Sequence, residues 1–368
     1  MKLVAGQDER DLASMLRGLL ATRKDDTIQA LAAAGILGLG ICEQYGGSGG
    51  TLADLGVFAR EAGRALCPSL VYSTVIAAQA IDLLGGDSSR KRWLADLASG
   101  ATSATTALWN VYDAADVTAT LRADRTKQGE WRLTGTADFV SDATDADLIV
   151  VSGMDASGRT LGFVCALDSP GVTQRSLAVM GGHHSSCVRF DDVVPDDVLG
   201  DGEPLGRDEL RRTANTAIAL SSLDLVGVGE AVLDRTVAYT SMRQQFGRPI
   251  ASFQAAQHIV ADMHIALAAA RLAAQAAVFA LSRGRVAVRE TAIARMHSAT
   301  AAKWATLDAH QLHGGMGYVV ETDLYLWSER ARVFSTLGGG ADVAATWLDD
   351  DQVSRTAVTD RLRRKDGL

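Results

Sequence analysis

The run Arg243-Gln244-Gln245-Phe246-Gly247-Arg248-Pro249-Ile250, followed after two intervening residues by Phe253-Gln254-Ala255-Ala256-Gln257, decides how the chain divides. Gly247 and Pro249 cannot continue a helix cheaply, so one helix ends here, the chain turns, and the next helix starts at Ser252. Free N–H groups at that start, flanked by Arg243 and Arg248, suit a phosphate. The same residues equally make a capped turn with surface arginines.

On both sides of this turn the pattern is helical. Long alanine-rich amphipathic stretches run over about 210–242, 252–283, 287–312 and 322–337, and short links between them predict an up-and-down four-helix bundle. A second glycine cluster, Gln311-Leu312-His313-Gly314-Gly315-Met316-Gly317-Tyr318, ends the third stretch. It follows a helix rather than a strand, so it is no dinucleotide turn of the βαβ kind. It reads as a glycine C-cap, or as backbone opened to something flat or bulky.

Upstream, over about 103–205, the period shifts towards two. Thr118–Arg125, Trp131–Thr136, Leu148–Gly153, Leu161–Ala166 and Cys187–Phe190 read as strands of a barrel or sandwich. Before residue 100, apolar residues return to three- and four-residue spacing, as in Leu12, Met15, Leu16, Leu19 and Leu55, Phe58, Ala59, Ala62. The expectation is an α+β chain in three parts: a helical domain over 1–102, a β domain over 103–206 and a helical bundle over 207–368.

Composition narrows the partners. A net charge of −8 argues against non-specific nucleic-acid binding, which needs basic stripes. Asp8 and Glu9 interrupt the start where a signal peptide would be apolar, and no consecutive apolar run approaches roughly 18 residues. A cytoplasmic chain without a membrane span is expected. Cys42, Cys67, Cys165 and Cys187 form no C-x-x-C pair and read as buried free thiols. The pairs His183-His184 and His310/His313 lack the acid or thiol company of a metal site, so no metal is expected.

Taken together, the two glycine-containing runs resemble the C-terminal signatures of the acyl-CoA dehydrogenase family, R-x-x-F-G-x-x-I-x-x-x-Q and Q-x-x-G-G-x-G-Y. Further resemblances follow in chain order. They are Gly38-Leu39-Gly40-Ile41 with Glu43-Gln44-Tyr45-Gly46-Gly47, Trp131-Arg132-Leu133-Thr134-Gly135 with Phe139-Val140-Ser141, and Phe190-Asp191-Asp192-Val193-Val194-Pro195 with Leu199-Gly200. The resemblance implies an FAD-dependent oxidoreductase that dehydrogenates an acyl-CoA thioester and passes electrons to an acceptor flavoprotein. It implicates Arg243, Phe246, Gln254, Gln311, Gly314, Gly315 and Gly317 in clamping FAD across a subunit interface, and Phe139 and Ser141 at the isoalloxazine ring.

The chain departs from the family where a proton must be removed. The usual glutamate of Y-E-G-T aligns with Gly338, after Arg330-Ala331-Arg332. The alternative position on an earlier helix aligns near Ala217, and no acid lies between Glu209 and Asp224. The A-L-T-E-P-x-A-G-S-D loop aligns with Ala107-Leu108-Trp109-Asn110-Val111-Tyr112-Asp113-Ala114-Ala115-Asp116, which loses Thr-Glu-Pro and Gly-Ser and gains bulky Trp109 and Tyr112. Leu337-Gly338-Gly339 resembles the base-lacking subunit of heteromeric bacterial acyl-CoA dehydrogenases, which pairs with a homologous catalytic chain to handle bulky acyl groups, including steroid side chains. Two alternatives stand beside it. One is a self-sufficient, homo-oligomeric dehydrogenase with a displaced base, Asp342 being the nearest candidate. The other is a flavin-dependent monooxygenase or oxidase on the same scaffold. Small residues Ala214, Ala217, Leu220 and Ser221 are expected to line a roomy substrate pocket.

Overall fold

A computed structural model describes residues 6–21 and 27–349 of the chain. Residues 1–5 and 350–368, the outer ends of the expected first and third parts, lie outside the described residues.

Helices come first: α1 (Gln7–Leu20), α2 (Thr27–Ala33), α3 (Leu52–Ala65), α4 (Ser69–Leu84) and α5 (Asp87–Ser99). Local chemistry sets their ends. At α3, Thr51 Oγ1 accepts from the Asp54 N–H while Asp54 Oδ2 accepts from the Thr51 N–H, a reciprocal cap that satisfies two otherwise free donors.

Eight strands follow: β1 (Ala104–Ala107), β2 (Leu121–Arg125), β3 (Trp131–Ser141), β4 (Leu148–Met154), β5 (Thr160–Ala166), β6 (Val172–Leu177), β7 (Ser185–Val193) and β8 (Asp197–Val198). They form one sheet in the order β6-β7-β3-β2-β4-β5-β8. β1 and β2 both pair in parallel with the same edge of β4, β1 along Leu148 to Val151 and β2 at Gly153 and Met154. Residues 108–120 therefore leave the sheet and return to the edge they left, as an excursion over its rim.

Three strands were not legible in the sequence. β1 is Ala-Thr-Thr-Ala, too weakly apolar to announce itself, and β8 has two residues. β6 lies at an end of the sheet, and its four central residues are exposed, so nothing forces an apolar alternation. The first expected strand also starts late, at Leu121 rather than Thr118.

The last part holds α6 (Arg207–Met242), a hairpin of β9 (Gln244–Gln245) and β10 (Arg248–Pro249), α7 (Gln254–Ser282), α8 (Val288–His313) and α9 (Leu324–Phe334); residues 341–349 are helical again. α6 packs against α3, α7, α8 and α9. Its approach to α3 is so close that a Cβ on Gly227 would fall 1.9 Å from the Arg60 carbonyl oxygen. Among the described residues two helices, α6 and α7, are long and apolar enough by length and composition to cross a bilayer, although neither has an uninterrupted apolar run. The α6 window is 94% buried inside the protein, as for a core helix, whereas the α7 window is 39% buried.

A buried ion pair ties α9 to α6. Arg330 donates from Nε to Asp224 Oδ1 (2.9 Å) and from Nη2 to Asp224 Oδ2 (2.6 Å), and its Nη1 reaches the Cys67 carbonyl at 2.7 Å. All four cysteines are free. Cys67 and Cys165 are buried as expected, but Cys187 is half-buried and Cys42 is exposed, because it opens a surface turn rather than a core element.

Candidate active site

A cavity of about 440 Å³ opens between α4, the rim excursion, the end of β3, α6 and the turn after α9. α6 contributes Ala217, Ile218 and Ser221, which share one face because Ser221 lies four residues after Ala217 and three after Ile218. Ala214, one turn earlier on the same stripe, and Leu220, on another face of the helix, are packed into the core instead. From α4 come Tyr72, Ser73 and Ile76. Nothing in the linear sequence marked these, because they stand more than 140 residues from Ala217.

The far wall is made by a distortion of β3. Its pairing with β7 slips between Ala137 and Val140, so Asp138 and Phe139 have no regular partners. Phe139 takes φ +52°, and such bulges re-aim side chains beside functional sites. The Phe139 ring meets Tyr112 edge-on at 5.6 Å, and Ser141 lies on the same lining. Trp109 and Tyr112, expected to crowd this region, both line it.

Gly338 also faces the cavity. Its φ of +72° favours glycine, and a Cβ there would sit 2.6 Å from Ile218 Cδ1 and 3.4 Å from Ala114 Cβ. The Gly338 N–H donates to the Val111 carbonyl at 2.6 Å, and the Gly338 carbonyl accepts from the Ala114 N–H at 2.9 Å. Trp347 Nε1 adds a bond to Asp113 Oδ1 at 2.8 Å. The glycine and the rewritten 109–116 segment are thus one interlocked unit. Ala217, the other aligned base position, lines the same cavity and likewise carries no carboxylate.

Asp138 and Asp142 are the only acids among the cavity's lining residues. Asp142 is buried and accepts from the Ser69 and Ser73 hydroxyls, each at 2.6 Å. Burial raises its pKa above the usual carboxylate range, with the two hydroxyl bonds opposing. The neighbouring His183 is held down to about 4, first by burial and then by the Arg330 charge. His184 is shifted the other way, chiefly by its bond to Asp145. Asp342 is exposed in the first turn of the 341–349 helix and is not part of the lining.

The nucleotide-clamp candidates lie outside the cavity lining. Arg243 caps α6, Phe246 stands at the tip of the β9–β10 hairpin with 93% of its surface exposed, and Gln254 opens α7. Gln311, Gly314 and Gly315 are exposed at the end of α8, while Gly317 is buried beneath them. A Cβ placed on Gly247, Gly314 or Gly315 would meet nothing within 4 Å. Among the described residues no three His, Cys, Asp or Glu side chains gather as a metal site would require.

Comparison with known proteins agrees with this layout. Residues 13–101 match the family profile "Acyl-CoA dehydrogenase, N-terminal domain", and residues 213–349 match "Acyl-CoA dehydrogenase, C-terminal domain". The chain is 32% identical over 300 residues to the acyl-CoA dehydrogenase IpdE2 of Mycobacterium tuberculosis, covering 81% of this chain and 77% of that protein. It is 29% identical over 309 residues to the probable acyl-CoA dehydrogenase YngJ of Bacillus subtilis, covering 80% and 81%. Among solved structures, a Tcur3481-Tcur3483 steroid ACAD variant superposes with a TM-score of 0.85 at 27% identity, covering 97% of this chain and 100% of that one.

Proposed function

Since the chain belongs to the acyl-CoA dehydrogenase family of FAD-binding oxidoreductases, we propose that it is the base-lacking subunit of a heteromeric acyl-CoA dehydrogenase. The observation that carries this reading is that Gly338 and Ala217 both face one cavity and neither offers a carboxylate. Removing a general base costs about 10²–10⁴ in rate, so a homologous partner would supply it.

The residues present fit FAD. A flat, largely apolar ring suits the wall of Phe139, Tyr112 and Ser141, and the open backbone at Gly247, Gly314 and Gly315 leaves room for a bulky dinucleotide. In this reading Arg243 faces the pyrophosphate, and Phe246, Gln254, Gln311 and Gly317 complete the clamp across the interface. Bound FAD supplies hydride acceptance; the chain's own residues orient it and exclude water. Exposed apolar residues support a partner of the same fold. Ile265, Leu272 and Phe279 recur every seven residues along α7, and Trp304 and Leu307 stand out from α8. The likeness to a steroid ACAD and the small Ala217 and Ser221 in the lining support a bulky acyl group.

Asp142 is the observation favouring the self-sufficient alternative, since a buried carboxylate on the cavity is a better base candidate than exposed Asp342. The deciding experiment purifies the chain alone and with a homologous base-carrying chain, counts flavins, and follows anaerobic flavin reduction by steroid and fatty acyl-CoAs. Reduction only in the mixed assembly is expected. Reduction by the isolated, FAD-replete chain ends the subunit reading; loss of that activity in Asp142→Asn would then identify the base. Oxygen-dependent turnover of reduced flavin would point to oxidase chemistry.

A further inference from the structure

Arg295 on α8 is fully buried yet does not line the cavity. No carboxylate among the described residues pairs with it. Its Nε donates to the Gly339 carbonyl at 2.8 Å, its Nη2 to the Leu337 carbonyl, and its Nη1 lies 3.4 Å from Ser221 Oγ. One guanidinium thus bridges the carbonyls on either side of Gly338. Desolvation lowers its pKa to about 10, so it stays charged at neutral pH. Burying a charge without an opposite charge is costly, and an apolar side chain would fill this space without that penalty. A planar fork of N–H donors, however, can hold two carbonyls at a fixed separation.

We propose that Arg295 is a positioning residue: it fixes the turn that carries Gly338, and through that turn it fixes the 110–116 segment as the wall of the cavity. The path is short and continuous. Arg295 sets the Leu337 and Gly339 carbonyls, Gly338 exchanges bonds with Val111 and Ala114, and Tyr112 between them meets Phe139 across the cavity. The Asp113–Trp347 bond anchors the segment from a second direction. Cavity width, and with it the acyl groups admitted, depends on a side chain that is not among the cavity's lining residues. The inference concerns the chain's own geometry and holds whether or not a partner supplies the base.

The test is residue-resolved amide exchange on the full chain and its Arg295→Met and Arg295→Lys variants, with β4 and β5 amides as internal reference. In Arg295→Met, exchange at the Gly338 and Ala114 amides should rise at least about tenfold over the reference amides, with partial recovery in Arg295→Lys. Near-ultraviolet circular dichroism from Trp109 and Tyr112 should change in parallel. Unchanged protection at both amides overturns the proposal, and so does an equal loss across β4 and β5, which would make Arg295 a general packing residue. If Arg295→Met does not fold, Arg295→Lys carries the decision: faster exchange confined to the two segments supports the role, and a uniform change refutes it.

Discussion

The nucleotide-clamp side and the cavity side of this molecule are built in opposite ways. Arg243, Phe246, Gln254 and the Gly314–Gly315 backbone are exposed, with open space around the glycines. Around Gly338 nearly every group is spoken for, by Arg295, Val111, Ala114, Trp347 and Ile218. The first arrangement is complete only with something added; the second is complete already. In the proposed reading, the clamp residues await groups from outside the chain, whereas on the cavity side Gly338 is held by contacts within it.

The sharpest way to break this comparison is Arg330→Met, which leaves Asp224 buried and unpaired. A loss of about 3–5 kcal/mol is expected in urea unfolding, and a loss below about 1 kcal/mol would mean that buried charge does not hold the cavity side. Next is Gly338→Ala. The positive φ and the Ile218 overlap should cost about 1–3 kcal/mol. A neutral result would show that the turn can relax and that the glycine is no structural requirement.

Another effect concerns pH. The folded chain keeps His183 neutral down to about 4, while the unfolded chain protonates it near 6.5. The unfolded state therefore binds more protons in that window, so this residue's contribution to stability falls as pH drops from about 6.5 to about 4. His183→Gln should reduce the acid-induced shift in urea midpoint between these pH values.

The smallest stability effect belongs to the other region. Arg243→Ala should change folding by no more than about 0.5 kcal/mol. It should nevertheless weaken FAD binding by about tenfold or more in a fluorescence titration of the assembly, since a charge-assisted phosphate contact is worth about 1.5–3 kcal/mol. A variant that loses stability but keeps FAD would reverse the assignment of the two regions.

Much of the fold was legible because it is periodic. Helical spacing located α6, α7 and α8 to within three residues, and strand alternation located β4 and β5. β6 escaped because an exposed edge strand needs no apolar face, and the full length of β3 was hidden because its bulge breaks the alternation. At the site, Gly338, Ala217, Trp109 and Tyr112 were found through short motifs. Tyr72, Ser73 and Asp142 were not, since they belong to elements that meet only on folding. Cys42 showed the opposite failure: thiol character suggested burial, and a surface turn left it exposed.

The sequence by itself determined the three textures of the chain, its family and the residues Gly338 and Ala217 at the aligned positions, because periodicity and short motifs are local properties. Only the tertiary structure decided that Gly338 and Ala217 share one cavity, that the 109–116 segment is bonded to Gly338, and that Arg295 donates to the carbonyls on either side of it. Those relations join residues far apart in the chain. They arise from packing distances and hydrogen-bond directions, which no spacing along the chain encodes.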